Sequence, residues 1–225
     1  MVSLQHSTKL VVFPGGGSPD NSLYSEVYNL ISIEAPKYGY TEVDKSLKWP
    51  GHISDNGESS GVLTFDGAVK LAKSKLVEME NRKDRYTLLG RSFGTYVACY
   101  CAITLDLKGL EKIILWGPPP YWILWEKFQK NLARDTDKYI RKGLQIDETF
   151  LKSVIPIETL LPYVKCPTIL AMGTEDKYCD ADFQEYLRKL SAGNKNIDYR
   201  LVNGAIHEIT YNSPVWKEYV EKLFT

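Results

Sequence analysis

Short apolar runs of strand length alternate with stretches of helical period along most of this chain. Leu10-Val11-Val12-Phe13, Thr41-Glu42-Val43, Tyr86 to Leu89, Lys112 to Trp116, Thr168 to Met172 and Ile197 to Val202 read as strands, most of them apolar enough to be buried on both faces. Between them, Ala68, Leu71, Ala72, Leu76 and Met79 recur at helical spacing. So do Phe183, Tyr186, Leu187 and Leu190, and near the end Val215, Trp216, Tyr219, Val220 and Leu223. Ser213-Pro214 offers that last helix an N-cap and a proline compatible with a first turn. Strands that alternate with helices require right-handed crossovers. The pattern therefore predicts an α/β fold: a mainly parallel sheet of about six strands, covered by helices on both faces, with active groups at the carboxyl ends of the strands.

The alternation breaks once, where Gly117-Pro118-Pro119-Pro120 leads into about fifty residues with no convincing strand. Tyr121, Trp125, Phe128 and Leu132 fall at helical spacing there, Gly143 breaks a second helical stretch, and Thr149 to Leu161 offers a third. The chain is expected to be one domain over residues 1–225, with 117–161 as a cap insertion. No internal repeat or low-complexity tract is visible.

Composition narrows the partners. The 225 residues are 44% hydrophobic and 25% charged, as in an ordinary globular protein with a continuous core. Twenty-eight basic residues balance 28 acidic ones, so no net field draws nucleic acid or an anionic membrane, and a small molecule is the expected partner. The first residues, Met1-Val2-Ser3-Leu4-Gln5-His6, form neither a basic leader nor an apolar core of a signal, and no run reaches the length of a membrane span; the expected location is cytoplasmic. Cys99, Cys101, Cys166 and Cys179 match no C-x-x-C or metal-finger spacing and read as reduced packing residues.

The chemistry is concentrated in Gly90-Arg91-Ser92-Phe93-Gly94, which follows the strand Tyr86 to Leu89 and opens directly into the helical pattern Thr95-Tyr96-Val97-Ala98. A serine on a sharp strand-to-helix turn needs glycines two residues either side, so that the neighbouring backbones pass without Cβ clashes. The turn lifts the hydroxyl of Ser92 out of the sheet and aims the N–H of Phe93 where negative charge would develop on a substrate oxygen. The plainer alternative is an ordinary strand-to-helix turn. An activated serine needs a base, and the base needs an orienting acid. His6 lies in the leading segment and His52 precedes the serine, whereas His207 follows the last strand in a loop before the last helix. In Gly173-Thr174-Glu175-Asp176 the chain leaves a strand end through glycine, which favours Asp176 as the acid, with Glu175 adjacent and chemically competent.

The order Ser92, Asp176, His207 resembles that of the α/β-hydrolase superfamily, over about residue 8 to the end of the chain. Phe13-Pro14-Gly15-Gly16-Gly17 is similar to the family's oxyanion loop, with Pro14 where histidine is common. Pro50-Gly51-His52-Ile53-Ser54 resembles a Gly-His-x-Ser turn, which implies a structural His52. Arg91 stands where many relatives have histidine, and two amino-terminal strands of larger members are missing. Asp20 occupies the place of the third glycine in G-x-G-x-x-G, so the glycine loop does not fit a dinucleotide site. The N–H of Gly16, with Gly17 as the alternative, would pair with that of Phe93 as an oxyanion hole.

The resemblance implies a serine hydrolase acting on a small or medium acyl ester or thioester, with no metal and no cofactor. Acyl transfer to other acceptors, C–C bond hydrolysis, haloperoxidase and lyase chemistry use the same triad in relatives, and a non-catalytic ligand-binding protein of this fold is a further alternative. Tyr121, Trp122, Trp125 and Phe128 in the insertion are candidates to line an acyl pocket, or else the buried face of a helix. Arg91 and Lys177 are weaker candidates for attracting an anionic substrate.

Overall fold

The computed structural model describes residues 8–16, 22–52, 61–123, 126, 139–141, 144–146, 148–207 and 213–225. In chain order its elements are β1 (Thr8–Phe13), α1 (Ser22–Glu34), a 3-10 turn (Ala35–Tyr38), β2 (Tyr40–Asp44), α2 (Phe65–Arg82), β3 (Arg85–Arg91), α3 (Phe93–Thr104) and β4 (Leu110–Trp116). Then follow a helical stretch at 121–123, β5 (Tyr139–Arg141), β6 (Leu144–Ile146), α4 (Glu148–Ser153), α5 (Ile157–Leu160), a 3-10 turn (Leu161–Tyr163), β7 (Thr168–Gly173), α6 (Ala181–Ala192), β8 (Ile197–Val202) and α7 (Trp216–Phe224).

Six strands form one parallel sheet in the order β2-β1-β3-β4-β7-β8. The chain steps outward from β1 to β2, then back across β1 to β3. Right-handed crossovers in opposite directions put their helices on opposite faces, and the reversal opens a crevice at the strand ends between β1 and β3. Alternate residues of each strand accordingly enter two separate cores. Val11, Phe13, Leu88, Ile113, Leu115, Leu170 and Met172 pack with α2, α3 and α6. Leu10, Val12, Leu89, Ile114, Trp116, Ile169 and Ala171 pack with α1 and α7. Register aligns the carboxyl ends along one edge: Phe13 pairs with Gly90, Arg91 with Trp116, Trp116 with Ala171 and Gly173 with Val202.

The helices start where polar side chains can satisfy their free amides. Thr64 Oγ1 accepts from Gly67 N–H at 3.0 Å ahead of α2, and Asp180 Oδ1 accepts from Phe183 N–H at 2.8 Å ahead of α6. Three elements depart from the sequence reading. Helix α1 is not marked by the periodicity named above, although Val27, Tyr28, Leu30 and Ile31 are all buried. Its serines and asparagine are poor helix formers, so burial rather than propensity holds it. Helix α7 starts later than Ser213-Pro214 suggested: Val215 is its N-cap without a side-chain cap, and Ser213 contributes its carbonyl, accepting from Trp216 N–H at 3.0 Å. Third, the segment expected to lack strands holds the antiparallel pair β5–β6, in which Tyr139 faces Ile146 and Arg141 faces Leu144. Each strand is only three residues long, too short to stand out as an apolar run.

The later part of 117–161 belongs to the main core. Phe150, Val154, Ile157, Leu160 and Leu161 are buried, and the Phe150 ring lies 5.1 Å from that of Phe93. Trp125, Phe128, Leu132 and Gly143 lie outside the described residues.

Lys83, exposed at the end of α2, has φ 59° and ψ 34°, the left-handed conformation that suits glycine. Its N–H closes the helix on the carbonyls of Met79 and Glu80, so the conformation must persist. Lys83→Gly is expected to stabilise the fold by about 0.5–1 kcal/mol, a rise of roughly 1–4 °C in Tm for a chain of this size. Thermal melts of the two proteins check this, and an unchanged or lower Tm would contradict it.

Candidate active site

Ser92 joins β3 to α3 with φ 51° and ψ −120°, one of two described non-glycine residues with positive φ. Holding a serine there costs about 1–3 kcal/mol and persists only where the surroundings impose it. Its hydroxyl does not cap α3. The usual structural use of a serine at a helix start is therefore absent. Both flanking glycines are enforced by contact. A Cβ on Gly90 would lie 2.6 Å from the Gly94 carbonyl oxygen and 2.7 Å from Thr95 Cα, and one on Gly94 would lie 2.0 Å from the Phe13 carbonyl oxygen. No side chain fits at either place.

That contact between Gly94 and Phe13 brings the loop after β1 against the serine. A Cβ on Gly15 would meet Ser92 Cβ at 3.0 Å. The loop is fixed by three hydrogen bonds from different elements: Trp49 Nε1–H donates to the Pro14 carbonyl at 2.7 Å, Gly15 N–H donates to Tyr28 Oη at 3.0 Å, and His52 Nε2 lies 3.1 Å from the Gly15 carbonyl. Because His52 Nδ1 accepts from Trp49 N–H at 3.2 Å, its proton sits on Nε2, which donates to Gly15. Buried His52 is thus a clamp on the glycine loop. Phe93 is anchored from the other side, its ring in edge contact with Trp49 at 6.3 Å and Phe65 at 6.4 Å. Its N–H is the first of α3 and has no intrahelical acceptor.

The loops after β7 and β8 meet at the same edge. Asp176, buried, lies with Oδ2 2.7 Å from His207 Nδ1, and its Oδ1 accepts from Tyr178 N–H at 2.9 Å. Glu175 is exposed and makes no such contact; its N–H donates to the Ala205 carbonyl. Between the adjacent carboxylates, the structure brings Asp176 to the histidine. The Tyr178 ring stands edge-on to the imidazole at 4.6 Å, and a Cβ on Gly117, which has φ 58°, would come within 3.4 Å of both Asp176 Oδ2 and His207 Nδ1. The pair is shielded from water, which fixes the ring's orientation and strengthens its hydrogen bond. A neutral imidazole donating from Nδ1 keeps the lone pair of Nε2 for a proton.

Three contributors were missed from the sequence: Tyr28, Gly117 and Tyr178. The buried helical spacing of α1 was a signal for Tyr28; Gly117 and Tyr178 act through backbone geometry that sequence does not display. Among the expected pocket residues, Tyr121 packs partly buried on the core, and Trp122 is 42% exposed with its ring edge-on to Phe183 at 5.1 Å. The cysteines offer no rival nucleophile. All four are free, and burial pushes the Cys101 thiol up to about 12 and raises those of Cys99 and Cys179 as well. Among the described residues, no group of three or more His, Cys, Asp or Glu side chains is arranged to hold a metal, and no helix is long and apolar enough to cross a membrane.

Sheet order, the strained serine turn and the loops at the strand ends together define the α/β-hydrolase fold, and solved structures bear this out. A structure from LipS and LipT, two metagenome-derived lipolytic enzymes, is 18% identical, with a TM-score of 0.66, over 96% of this chain and 91% of that one. The monoacylglycerol lipase of Paleococcus ferrophilus is also 18% identical, with a TM-score of 0.66, over 96% and 93%. The Pyrococcus furiosus esterase Pf2001 is 18% identical, with a TM-score of 0.62, over 97% and 79%. No family model and no curated protein matches the chain.

The clamp gives His52 a measurable structural weight. His52→Ala leaves the Gly15 carbonyl and the Trp49 N–H without their partner, and is expected to cost about 1–3 kcal/mol for each buried group left unpaired. A thermal melt should show a drop of several degrees; an unchanged Tm would mean that the glycine loop does not depend on this residue.

Proposed function

We propose that this protein is a serine hydrolase that cleaves a small or medium acyl ester or thioester through an acyl-serine intermediate. The observation that carries the reading is the strained, non-capping Ser92 placed at the same sheet edge as a buried Asp176–His207 pair. The lipolytic enzymes, lipase and esterase of like fold support the bond type. The four unpaired cysteines fit a reducing compartment, and we place the protein in the cytoplasm on that ground.

In this mechanism His207 Nε2 takes the proton of Ser92 Oγ as the oxygen attacks the substrate's carbonyl carbon. The carbonyl π electrons move onto oxygen, and the N–H groups of Phe93 and Gly16 hold the resulting oxyanion. Tyr28 already occupies the amide of Gly15, so the loop's donor falls to Gly16. Collapse of the intermediate expels the alcohol or thiol, which leaves with the proton from His207. Water then attacks the acyl-serine, His207 removes its proton, and a second collapse restores Ser92 and releases the acid. Asp176 stays ionised, holding the imidazole in the tautomer that presents Nε2. We further propose that the part of residues 117–161 ahead of the core-packed stretch from Phe150 acts as a cap over a single domain, and that Tyr121 and Trp122 present an apolar surface to the acyl group. Trp125 and Phe128 would extend it.

A screen of p-nitrophenyl esters, acyl-thioesters and amides with wild type and Ser92→Ala tests the reaction. Hydrolysis should appear with esters or thioesters and fall by about 10⁶ in the variant, to background. Asp176→Asn should lower turnover by about 10⁴ through loss of the imidazole tautomer, while Glu175→Gln should change little. Activity that survives in Ser92→Ala would overturn the proposal, and equal losses at the two acids would overturn the role of Asp176.

The cap has its own test. If the aromatics line the acyl site, kcat/KM should rise by up to roughly fourfold per added carbon, about 0.8 kcal/mol per methylene, until the space is filled. Tyr121→Ala and Trp122→Ala should move that optimum. An optimum unchanged in both folded variants would assign these residues to packing alone.

A further inference from the structure

Among the described residues, Arg91 is the one charged side chain buried beneath the candidate site for which the mechanism above has no use. It is 4% exposed, and its guanidinium lies over two rings, 5.5 Å from the centroid of Trp116 and 6.0 Å from that of Tyr28. Nη2 donates to the His207 carbonyl at 3.3 Å, and Nη1 lies 3.5 Å from where a Cβ on Gly15 would be. Nε is buried with no hydrogen-bond partner. No carboxylate among the described residues forms an ion pair with it. Burying a guanidinium with one donor unpaired and no counter-ion among the described residues carries a large desolvation penalty, which an apolar residue of similar volume would not incur.

Position suggests what the charge does. Arg91 touches the loop after β8, which carries the base, and approaches the loop after β1, which borders the oxyanion site; its own backbone leads into the nucleophile. We infer that Arg91 is a positioning residue that ties the His207 loop to the glycine loop and whose positive charge opposes protonation of the His207 imidazole in the resting protein. The inference rests on the proposed role of His207 as the base. Asp176, at 2.7 Å, draws a proton onto that ring; a fixed cation against the histidine's own backbone offsets the pull and keeps the ring neutral, and therefore basic, to lower pH.

Among the described residues, the other groups around the ring do not supply this effect. Tyr178 faces it edge-on; Tyr219 and Cys179, behind Asp176, are kept protonated mainly by burial. Exposed Glu175 is water-screened, and Lys177 points its ammonium over the Tyr178 ring at 5.1 Å.

The test follows Ser92 labelling by a fluorophosphonate, so it needs no knowledge of the substrate. The second-order rate is measured from pH 4.5 to 9 in wild type, Arg91→Gln and Arg91→Lys, with a thermal melt for each. Arg91→Gln keeps an amide donor for the His207 carbonyl but removes the charge; its acid limb should move up by about 0.5–1.5 pH units, the size of one lost charge at this range. Arg91→Lys keeps the charge and should leave the limb at the wild-type pH, although its plateau rate falls because the planar fork is gone. A merely structural role would lower both plateaus and move neither limb, and that result overturns the inference. Should Arg91→Gln fail to fold, Arg91→Met supplies the neutral variant with the same expectation. Wild type that takes no label at Ser92 is a different failure, that of the proposed function itself, and it removes the inference as well.

Discussion

The passage of the Phe13 carbonyl over the Cα of Gly94, with no room for a single methyl group, is the contact on which the rest of the site depends. It lets α3 begin directly against the end of β1, which in turn forces the turn at Ser92 into its positive-φ conformation. The same approach sets the Gly15 backbone beside the serine's Cβ, so Ser92 and the glycine loop are joined through main chain rather than through flexible side chains. Strain of about 1–3 kcal/mol at one residue is sustained by two cores, one on each side of the sheet, with Phe93 and Trp49 on one and Tyr28 and Trp116 on the other. In the proposed reaction the geometry would be set before a substrate arrives, which is how preorganised donors favour a transition state over a ground state.

Charge is distributed with similar economy. The exposed edges of the sheet carry solvated pairs such as Lys9 with Glu42, which contribute little to stability. Buried charge is gathered at the strand ends instead, in Asp176 with its two hydrogen bonds and in Arg91 with its incomplete set. Asp176 meets the His207 imidazole and Arg91 meets the His207 carbonyl, and no ion pair joins the two.

Much of this was legible in the sequence. The six strands followed from short apolar runs, and the sheet's parallel character followed from their alternation with helices. Gly90, Ser92 and Gly94 announced the turn because no other residue types fit it, and the order of Asp176 and His207 along later strand ends followed from the topology. Other features turned on tertiary context. Helix α1 is built from residues of modest helical propensity and is stabilised by burial of Val27, Tyr28, Leu30 and Ile31. The strands of the β5–β6 pair are each only three residues long, too short to stand out as apolar runs. Tyr178 supports Asp176 through its amide, which every residue but proline possesses. Arg91 was visible as a departure from the resembling family, but burial and an unpaired Nε are properties of packing, and only the assembled loops show that the charge lies against the histidine's own backbone.

The central claim is that the amides of Phe93 and Gly16 and the hydroxyl of Ser92 converge on one reacting centre. A crystal structure of the protein after reaction with an organophosphonate tests it most directly, since the tetrahedral phosphorus imitates the intermediate of acyl transfer. The account predicts phosphorus bonded to Ser92 Oγ, with its non-bridging oxygen within about 3.2 Å of both amide nitrogens. An adduct on another residue, or an oxygen turned away from both amides, would contradict it.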